Sequence, residues 1–448
     1  MLGQCAVLHY FEENGRKKAE KSIVCGDRRS YVAHILSARG IHPRHSSPDF
    51  SGKRNKRLRT KSGNKRRSVG ISPQNVFCFS ISRYFEQFSI EKKIYMVYTH
   101  DRNAAIHLAV FVFVLGGIRM KVVSLCEAYR DYFSIGAAVN SRSVDTHADL
   151  LKVHFNSITA ENEMKFERLH PEPEVYDFEK ADILLRFARE NGMRMRGHTL
   201  VWHNQTPSWV FRENGMPRKK ENLLTVMKDH IRRVTSHFSP NLYCWDVVNE
   251  AVEDKGSNIL RRSPWLEIAG EDFLKEAFVC AKESVPEASL YYNDYNACVP
   301  EKREKICALL RRLLEEGAPV DGFGIQGHWN ITAPQPDEIR RSIEAYASLG
   351  LKLQITELDL SLYAQSDPYR PEPGPAPEEL LIRQTKLYEE IFHIFREYRD
   401  VIEAVTFWGV ADDDTWLDRF FEPHRANRPL LFDEEHKPKA AFRAVTQF

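Results

Sequence analysis

No Cys-x-x-Cys pair occurs among the eight cysteines of this chain, which stand apart at positions 5, 25, 78, 126, 244, 280, 298 and 307. That spacing excludes a zinc ribbon and a thioredoxin-like dithiol. No Gly-x-Ser-x-Gly elbow is present to support a serine nucleophile, and no His-x-His or His-Glu-x-x-His spacing supports a catalytic metal. The amino terminus lacks a basic stretch followed by an apolar core, so a secretory leader is not expected. Isolated thiols without a leader lead to the expectation of a reduced, cytoplasmic protein. Long apolar runs are also scarce. The mostly apolar stretch 104–118 is fifteen residues, short of the roughly 20 that a membrane-spanning helix needs, so no membrane association is expected.

Acidic residues are scarce in one part of the chain only. Residues 1–119 hold 22 Lys plus Arg against 8 Asp plus Glu, whereas residues 120–448 hold 42 against 54. The run "SGKRNKRLRTKSGNKRR", Ser51 to Arg67, has almost nothing to bury. It reads as a solvated tail, the other reading being a nucleic-acid arm or a localisation patch. Residues 1–119 are therefore expected to be a basic, disordered extension outside the folded unit, and the domain is expected to span 120–448. Nucleic acid is not expected as the main partner.

From Met120 onward, eight apolar segments alternate with amphipathic helical ones. The strand candidates are 132–139, 157–160, 193–202, 242–248, 289–294, 322–328, 351–359 and 402–409. Between them, "DFEKADILLRFARENG" has Asp177 as an N-cap candidate, an apolar stripe through Ala181, Leu184, Leu185 and Ala188, and Gly192 past its end. A later helix places Leu380, Leu381, Gln384, Leu387, Ile391 and Ile394 at helical spacing after Pro377. Eight strand-and-helix units fit a closed (β/α)8 TIM barrel. The rival open sheet would carry a Gly-x-Gly-x-x-Gly loop after its first strand, and "FSIGAAVNSRS" does not.

Polar residues collect where these strands end. His198, Trp202 and His203 end the third; Asn249 and Glu250 the fourth; Asn293, Asp294 and Tyr295 the fifth. Gln326 and His328 end the sixth, Glu357 and Asp359 the seventh, and Trp408 the eighth. A barrel brings all these ends to one face. Glu250 and Glu357 would then oppose each other, as glycosidic cleavage requires: one carboxyl protonates the leaving oxygen while the other attacks or directs water. Trp202, Trp408 and Trp416 offer flat faces for pyranose rings, and Asn162, Lys165, His198 and Gln205 offer directional hydrogen bonds. His198, His203 and Asp359 could alternatively be weighed as metal ligands, but their spacing does not support it. Each of these residues taken singly is more often structural; their joint placement is what points to a site.

Seven motifs in order resemble the glycoside hydrolase family 10 endo-1,4-β-xylanases. They are "TAENEMKFE" (159–167), "GHTLVWHNQTPSW" (197–209), "WDVVNEAV" (245–252), "YYNDYN" (291–296), "GIQGHW" (324–329), "ITELD" (355–359) and "TFWGVADDDTW" (406–416). The resemblance implies a retaining enzyme, with Glu250 as acid/base and Glu357 as nucleophile. It implies that Glu161, Asn162 and Lys165 grip a xylose unit, and that His198, Asn249 and Gln326 surround the reacting sugar. Trp202, Gln205, Tyr295, Trp408 and Trp416 complete the cleft, while His328 and Asp359 hold the nucleophile and His203 supports the site. No cofactor or metal is implied, and the expected partners are xylan or xylo-oligosaccharides. The competing reading is a non-catalytic carbohydrate-binding barrel, which would keep the tryptophans but need neither opposed carboxylate.

Overall fold

The computed structural model describes residues 123–364, 367, 376–420 and 425–448 in full; upstream of these only the backbone of five short strands is described. Those strands are Ala6–Glu13, Arg16–Ile23, Val76–Phe79, Ile94–Tyr98 and Ala109–Phe111; the rest of 1–119, including the basic run 51–67, and most of the proline-rich stretch 366–379 lie outside the described residues.

Eight strands form the centre: β1 (Ser134–Val139), β2 (Ser157–Ala160), β3 (Arg194–Trp202), β4 (Leu242–Asn249), β5 (Ser289–Asp294), β6 (Gly322–Ile325), β7 (Lys352–Ser361) and β8 (Ile402–Phe407). Each pairs in parallel with the next, and β8 returns to β1, so the sheet closes. One main helix follows each strand: α1 (Ala148–His154), α2 (Glu179–Glu190), α3 (Lys220–Phe238), α4 (Asp272–Ser284), α5 (Pro300–Glu315), α6 (Pro336–Ala347), α7 (Glu378–Glu397) and α8 (Ala440–Thr446). This is a (β/α)8 TIM barrel. No helix among the described residues is long and apolar enough to cross a membrane.

The strands are buried along nearly their whole length because helices cover them outside and packed side chains fill them inside. Gly197 on β3 shows how tight the outer layer is. A Cβ there would lie 2.2 Å from the Trp245 ring on β4, so glycine is what lets the indole lie between the sheet and α3, where it meets Phe238. Buried Arg196 donates to Gln354 and to Asp246, each at 2.7 Å, which offsets the cost of burying a guanidinium.

Three local expectations are corrected. Helix α2 buries Ala181, Leu184, Leu185 and Ala188 as expected, but its first residue is Glu179 and its cap position is Phe178. Asp177 still accepts from the Glu179 N–H at 3.0 Å, one residue outside the position assigned to it. The buried face of α7 is Gln384, Tyr388, Ile391, Phe392, Ile394 and Phe395, with Leu380, Leu381 and Leu387 only partly covered. Its polar member is buried because Gln384 donates to the carbonyls of Leu360 and Arg428. Finally, the sixth strand does not run on to His328. Gly327, at φ +83°, breaks it, and a separate short strand, His328–Asn330, pairs with the end of β7.

Candidate active site

The strand ends gather as the closed barrel requires, and two glutamates face opposite kinds of surroundings there. Glu250 is the first residue after β4. Its backbone is left-handed, with φ +56°, a conformation that β-branched and most other side chains avoid. The turn is held by the Glu250 N–H donating to the Asn293 carbonyl at 2.9 Å and by Arg261 Nε donating to the Glu250 carbonyl at 3.0 Å. The carboxylate accepts from the Trp202 indole at 2.9 Å and from Gln326 Nε2 at 3.0 Å. Burial pushes its pKa up, these two neutral donors oppose the rise, and the charge of Glu357 adds to it.

Glu357 lies within β7 and is 4% exposed. Its Oε1 accepts from Asn293 Nδ2 at 2.7 Å, and its Oε2 faces His328 Nε2 at 3.1 Å. Burial alone would raise this pKa as well, but the hydrogen bond from His328, the nearby His198 and His328 rings and the Asn293 amide outweigh it and hold it at about 2. His328 Nδ1 lies 2.8 Å from Asp359 Oδ2. Burial disfavours the charged imidazole, but the two carboxylates prevail and raise its pKa to about 10. An imidazolium flanked by Glu357 and Asp359 thus keeps the β7 glutamate ionised.

Small residues make room for this clamp. A Cβ on Gly324 would fall 2.2 Å from Asn293 Oδ1 and 2.8 Å from Thr356 Cγ2, and the Thr356 hydroxyl donates to that same Oδ1 at 2.7 Å. Asn249 stands between the two glutamates and finds partners in either amide orientation. Its Oδ1 meets Asn293 Nδ2 at 2.9 Å and Gln326 Nε2 at 3.3 Å; turned over, its nitrogen reaches the Asn293 carbonyl at 3.2 Å and its oxygen the Trp202 indole at 3.3 Å.

The end of β2 and the loop after β3 form a second polar group. Lys165 donates to Asn162 at 3.0 Å and sits 4.9 Å from the Trp202 ring centre. Burial lowers its pKa, while the charges of Glu357, Glu161 and Glu250 raise it, so this ammonium lies in the field of both candidate catalytic carboxylates. Glu161 accepts from Asn140 at 3.2 Å, and burial raises its pKa. Gln205 is 3.3 Å from Glu167 and 3.5 Å from Asn162. On the far side, the Trp416 indole donates to Asp359 at 2.8 Å, and the His328 ring lies 4.9 Å from Trp416 and 6.2 Å from Trp408. Trp408 also packs edge-on against His198 at 5.3 Å.

Two expected site residues stand somewhat apart. The Tyr295 hydroxyl is committed to Asp254 and to Arg261, with Lys302 over its ring at 4.5 Å. His203 packs against Trp202 with ring centres 5.8 Å apart, and burial lowers its pKa to about 4. His198, His203 and Asp359 are not brought together: among the described residues, the ligand atoms that lie within 4.8 Å of one another belong to other residues, while His198 is bonded to Asp246 and Asp359 to His328 and Trp416. Sequence reasoning missed Asn293 as a partner of Glu357, although it stood at the end of the fifth strand. It also missed the Arg196–Asp246–His198 chain, in which Asp246 bridges the guanidinium at 2.7 Å and His198 Nδ1 at 2.9 Å. The signal available was a charged residue inside each of two strands that a closed barrel buries, Arg196 in β3 and Asp246 in β4.

A TIM barrel whose C-terminal face holds one carboxylate pushed toward protonation and another held ionised has the equipment of a glycoside hydrolase. The family model for glycosyl hydrolase family 10 matches residues 124–448, and the chain belongs to that family. It is 51% identical over 324 residues to an endo-1,4-beta-xylanase of Geobacillus stearothermophilus, covering 72% of this chain and 97% of the relative. To endo-1,4-beta-xylanase B of Paenibacillus barcinonensis it is 50% identical over 323 residues, again 72% and 97%. Among solved structures, that of xylanase XynB from Paenibacillus barcinonensis, complexed with a conduramine derivative, matches at 49% identity and a TM-score of 0.72, over 73% of this chain and 99% of the other.

Proposed function

We propose that this chain is a retaining endo-1,4-β-xylanase that cleaves xylan and xylo-oligosaccharides by double displacement. The observation that carries this reading is the opposite polarisation of Glu250 and Glu357. In the first step Glu357 attacks the anomeric carbon while Glu250 gives its proton to the departing glycosidic oxygen, leaving a xylosyl ester on Glu357. In the second step Glu250, now ionised, takes a proton from water, and the water oxygen displaces Glu357 with net retention. Asn293 and His328 steady the nucleophile. Gln326 and Trp202 steady the acid, Glu161, Asn162 and Lys165 grip a glycone xylose, and Gln205, His198, Asn249 and Tyr295 complete the polar lining. Trp408 and Trp416 stack on the sugar, and Trp408 disfavours the hydroxymethyl group of a glucose unit, as the family resemblance implies. A barrel that only binds sugar has no use for one raised and one depressed carboxyl group.

The five cysteines among the described residues, Cys126, Cys244, Cys280, Cys298 and Cys307, are all free thiols. They support a cytoplasmic location, and short oligosaccharides are the substrates we assign to such an enzyme. The family match beginning at residue 124 supports a domain boundary near residue 120. Hydrolysis of xylohexaose followed by proton NMR of the first products tests substrate, bond choice and stereochemistry together. Initial β-anomers released from internal bonds are expected; initial α-anomers, or no turnover, overturn the reading. Cell fractionation, with product profiles on polymer and oligomer, tests the location and chain-length parts separately.

A further inference from the structure

Away from the sugar cleft, His147, Asp413 and His436 bring one ligand atom each to within 4.8 Å of one another. They come from three separate segments. His147 joins the short helix Ser143–Thr146 to α1, Asp413 lies in the one-turn helix Asp412–Asp414 after β8, and His436 lies in the turn ahead of α8. His147 Nε2 is 2.9 Å from Asp413 Oδ1, His436 Nε2 is 3.3 Å from Asp413 Oδ2, and the two rings are 4.4 Å apart. We propose that these three side chains form a binding site for a divalent cation of the zinc class.

The neighbouring aspartates show what is different about Asp413. Asp412 pairs with Lys439 at 2.8 Å, and Asp414 with Arg419 at 3.4 Å and Arg142 at 3.7 Å. Asp413 instead faces two imidazoles, one on each carboxylate oxygen. His147 is 1% exposed and Thr146 orients it. The Thr146 hydroxyl is 2.8 Å from His147 Nδ1 and 3.3 Å from the Arg142 carbonyl. If its single proton goes to that carbonyl, Nδ1–H must donate to the hydroxyl oxygen. In the neutral ring the Nε2 lone pair then points at Asp413, two acceptors face each other, and a cation between them, a second ring proton or a metal ion, resolves the conflict. A hydrogen bond at the remote ring nitrogen that sets the tautomer is also what metal-bound histidines generally have.

Two imidazole nitrogens and one carboxylate oxygen suit zinc, which binds such ligands at about 2.0–2.2 Å. The observed spacings need to open only slightly to admit it. Asp413 and His436 are about one-third exposed, at 32% and 35%, which leaves a way in and a fourth position for water. The bound ion would fasten the loop after β1 to the loop after β8 and to the turn before α8. The β8 loop also carries Asp414, bonded to Asn140, and leads directly to Trp416, so the clasp would steady one wall of the cleft.

The test uses the full chain, stripped with a chelator and titrated with zinc chloride by calorimetry, with cobalt chloride as a spectroscopic probe. One equivalent of zinc should bind and raise the Tm, and cobalt should give visible bands of a nitrogen- and oxygen-ligated site. His436→Gln and Asp413→Asn, both at partly exposed positions, should each weaken that equivalent by at least about 100-fold and remove the cobalt bands. Absence of a stoichiometric equivalent overturns the proposal. So does an equivalent that survives unchanged in both variants, because it would belong to other histidines.

Discussion

Glu250 and Glu357 are the same residue type, one partly and one fully buried at one end of one barrel, yet the protein treats them oppositely. Both lose solvent, and burial pushes both toward the neutral form. Around Glu250 the donors are an indole and an amide, which cannot carry charge, and the rise survives. Around Glu357 the amide of Asn293 is joined by His328, itself kept cationic by Asp359, and the rise is reversed. The division of labour is therefore not written in the glutamates. It lies in which neighbour can hold a positive charge.

The largest test of that contrast is Glu357→Ala. Removing a nucleophile should cut turnover of xylo-oligosaccharides on the order of 10⁶-fold. Azide should restore part of the rate by attacking the anomeric carbon directly, giving a glycosyl azide of inverted configuration. Loss without rescue would argue against the nucleophile role. Glu250→Ala should cost less, roughly 10²–10⁴-fold on natural substrates, and far less on aryl xylosides, whose leaving groups need no proton. In the unaltered enzyme Glu250 must be protonated for the first step. The rate should therefore fall as pH rises through a value above the ordinary glutamate range, and Glu250→Ala should remove that basic limb. An aryl xyloside and a xylo-oligosaccharide losing equally would mean that Glu250 is not the acid.

His328→Asn probes the feature that separates the two sides. It takes away the imidazolium and leaves Asp359 without its ring partner. The Glu357 pKa should rise, so the acidic limb of kcat/KM should move to higher pH, with a loss of about 10–100-fold near neutrality. An acidic limb that stays in place while kcat falls would reduce His328 to a packing role.

The gross design was legible in the sequence because periodicity and strand-end polarity are local signals. Eight strands were placed within a few residues, and both carboxylates were singled out from the polar cluster at each strand end. What was not legible depended on contacts across the barrel. Asn293 was visible, but its bond to Glu357 depends on the register of β5, β6 and β7 and on the space that Gly324 leaves. Arg196 and Asp246 look like misfits in apolar strands until the pairing of β3 with β4 brings them to 2.7 Å. The pattern carries the sixth strand on to His328 because nothing in "GIQGHW" distinguishes Gly327 from a strand residue, whereas its positive φ makes it a break. His147, Asp413 and His436 follow no metal-binding spacing at all and meet only because β8 returns to β1.

The smallest expected effect concerns stability, and the contrast predicts opposite signs. The Glu357 pKa is depressed to about 2 in the folded protein, so its ionised form contributes stability that is present above the unfolded value and lost as pH falls through about 2. Glu357→Gln should therefore lower the Tm at neutral pH. The Glu250 pKa is raised by burial, so its ionised form costs stability at neutral pH, a cost that fades as pH falls through the raised pKa and is gone below the unfolded value. Glu250→Gln keeps the shape, and its amide can meet the Trp202 and Gln326 donors once Gln326 turns over. It should raise the Tm by a few degrees at pH 7, a gain that shrinks on acidification. Thermal unfolding of both variants from pH 7 down to pH 4 checks this. Shifts of the same sign would mean that the two glutamates are buried alike, and the contrast between donors and imidazolium would no longer explain their roles.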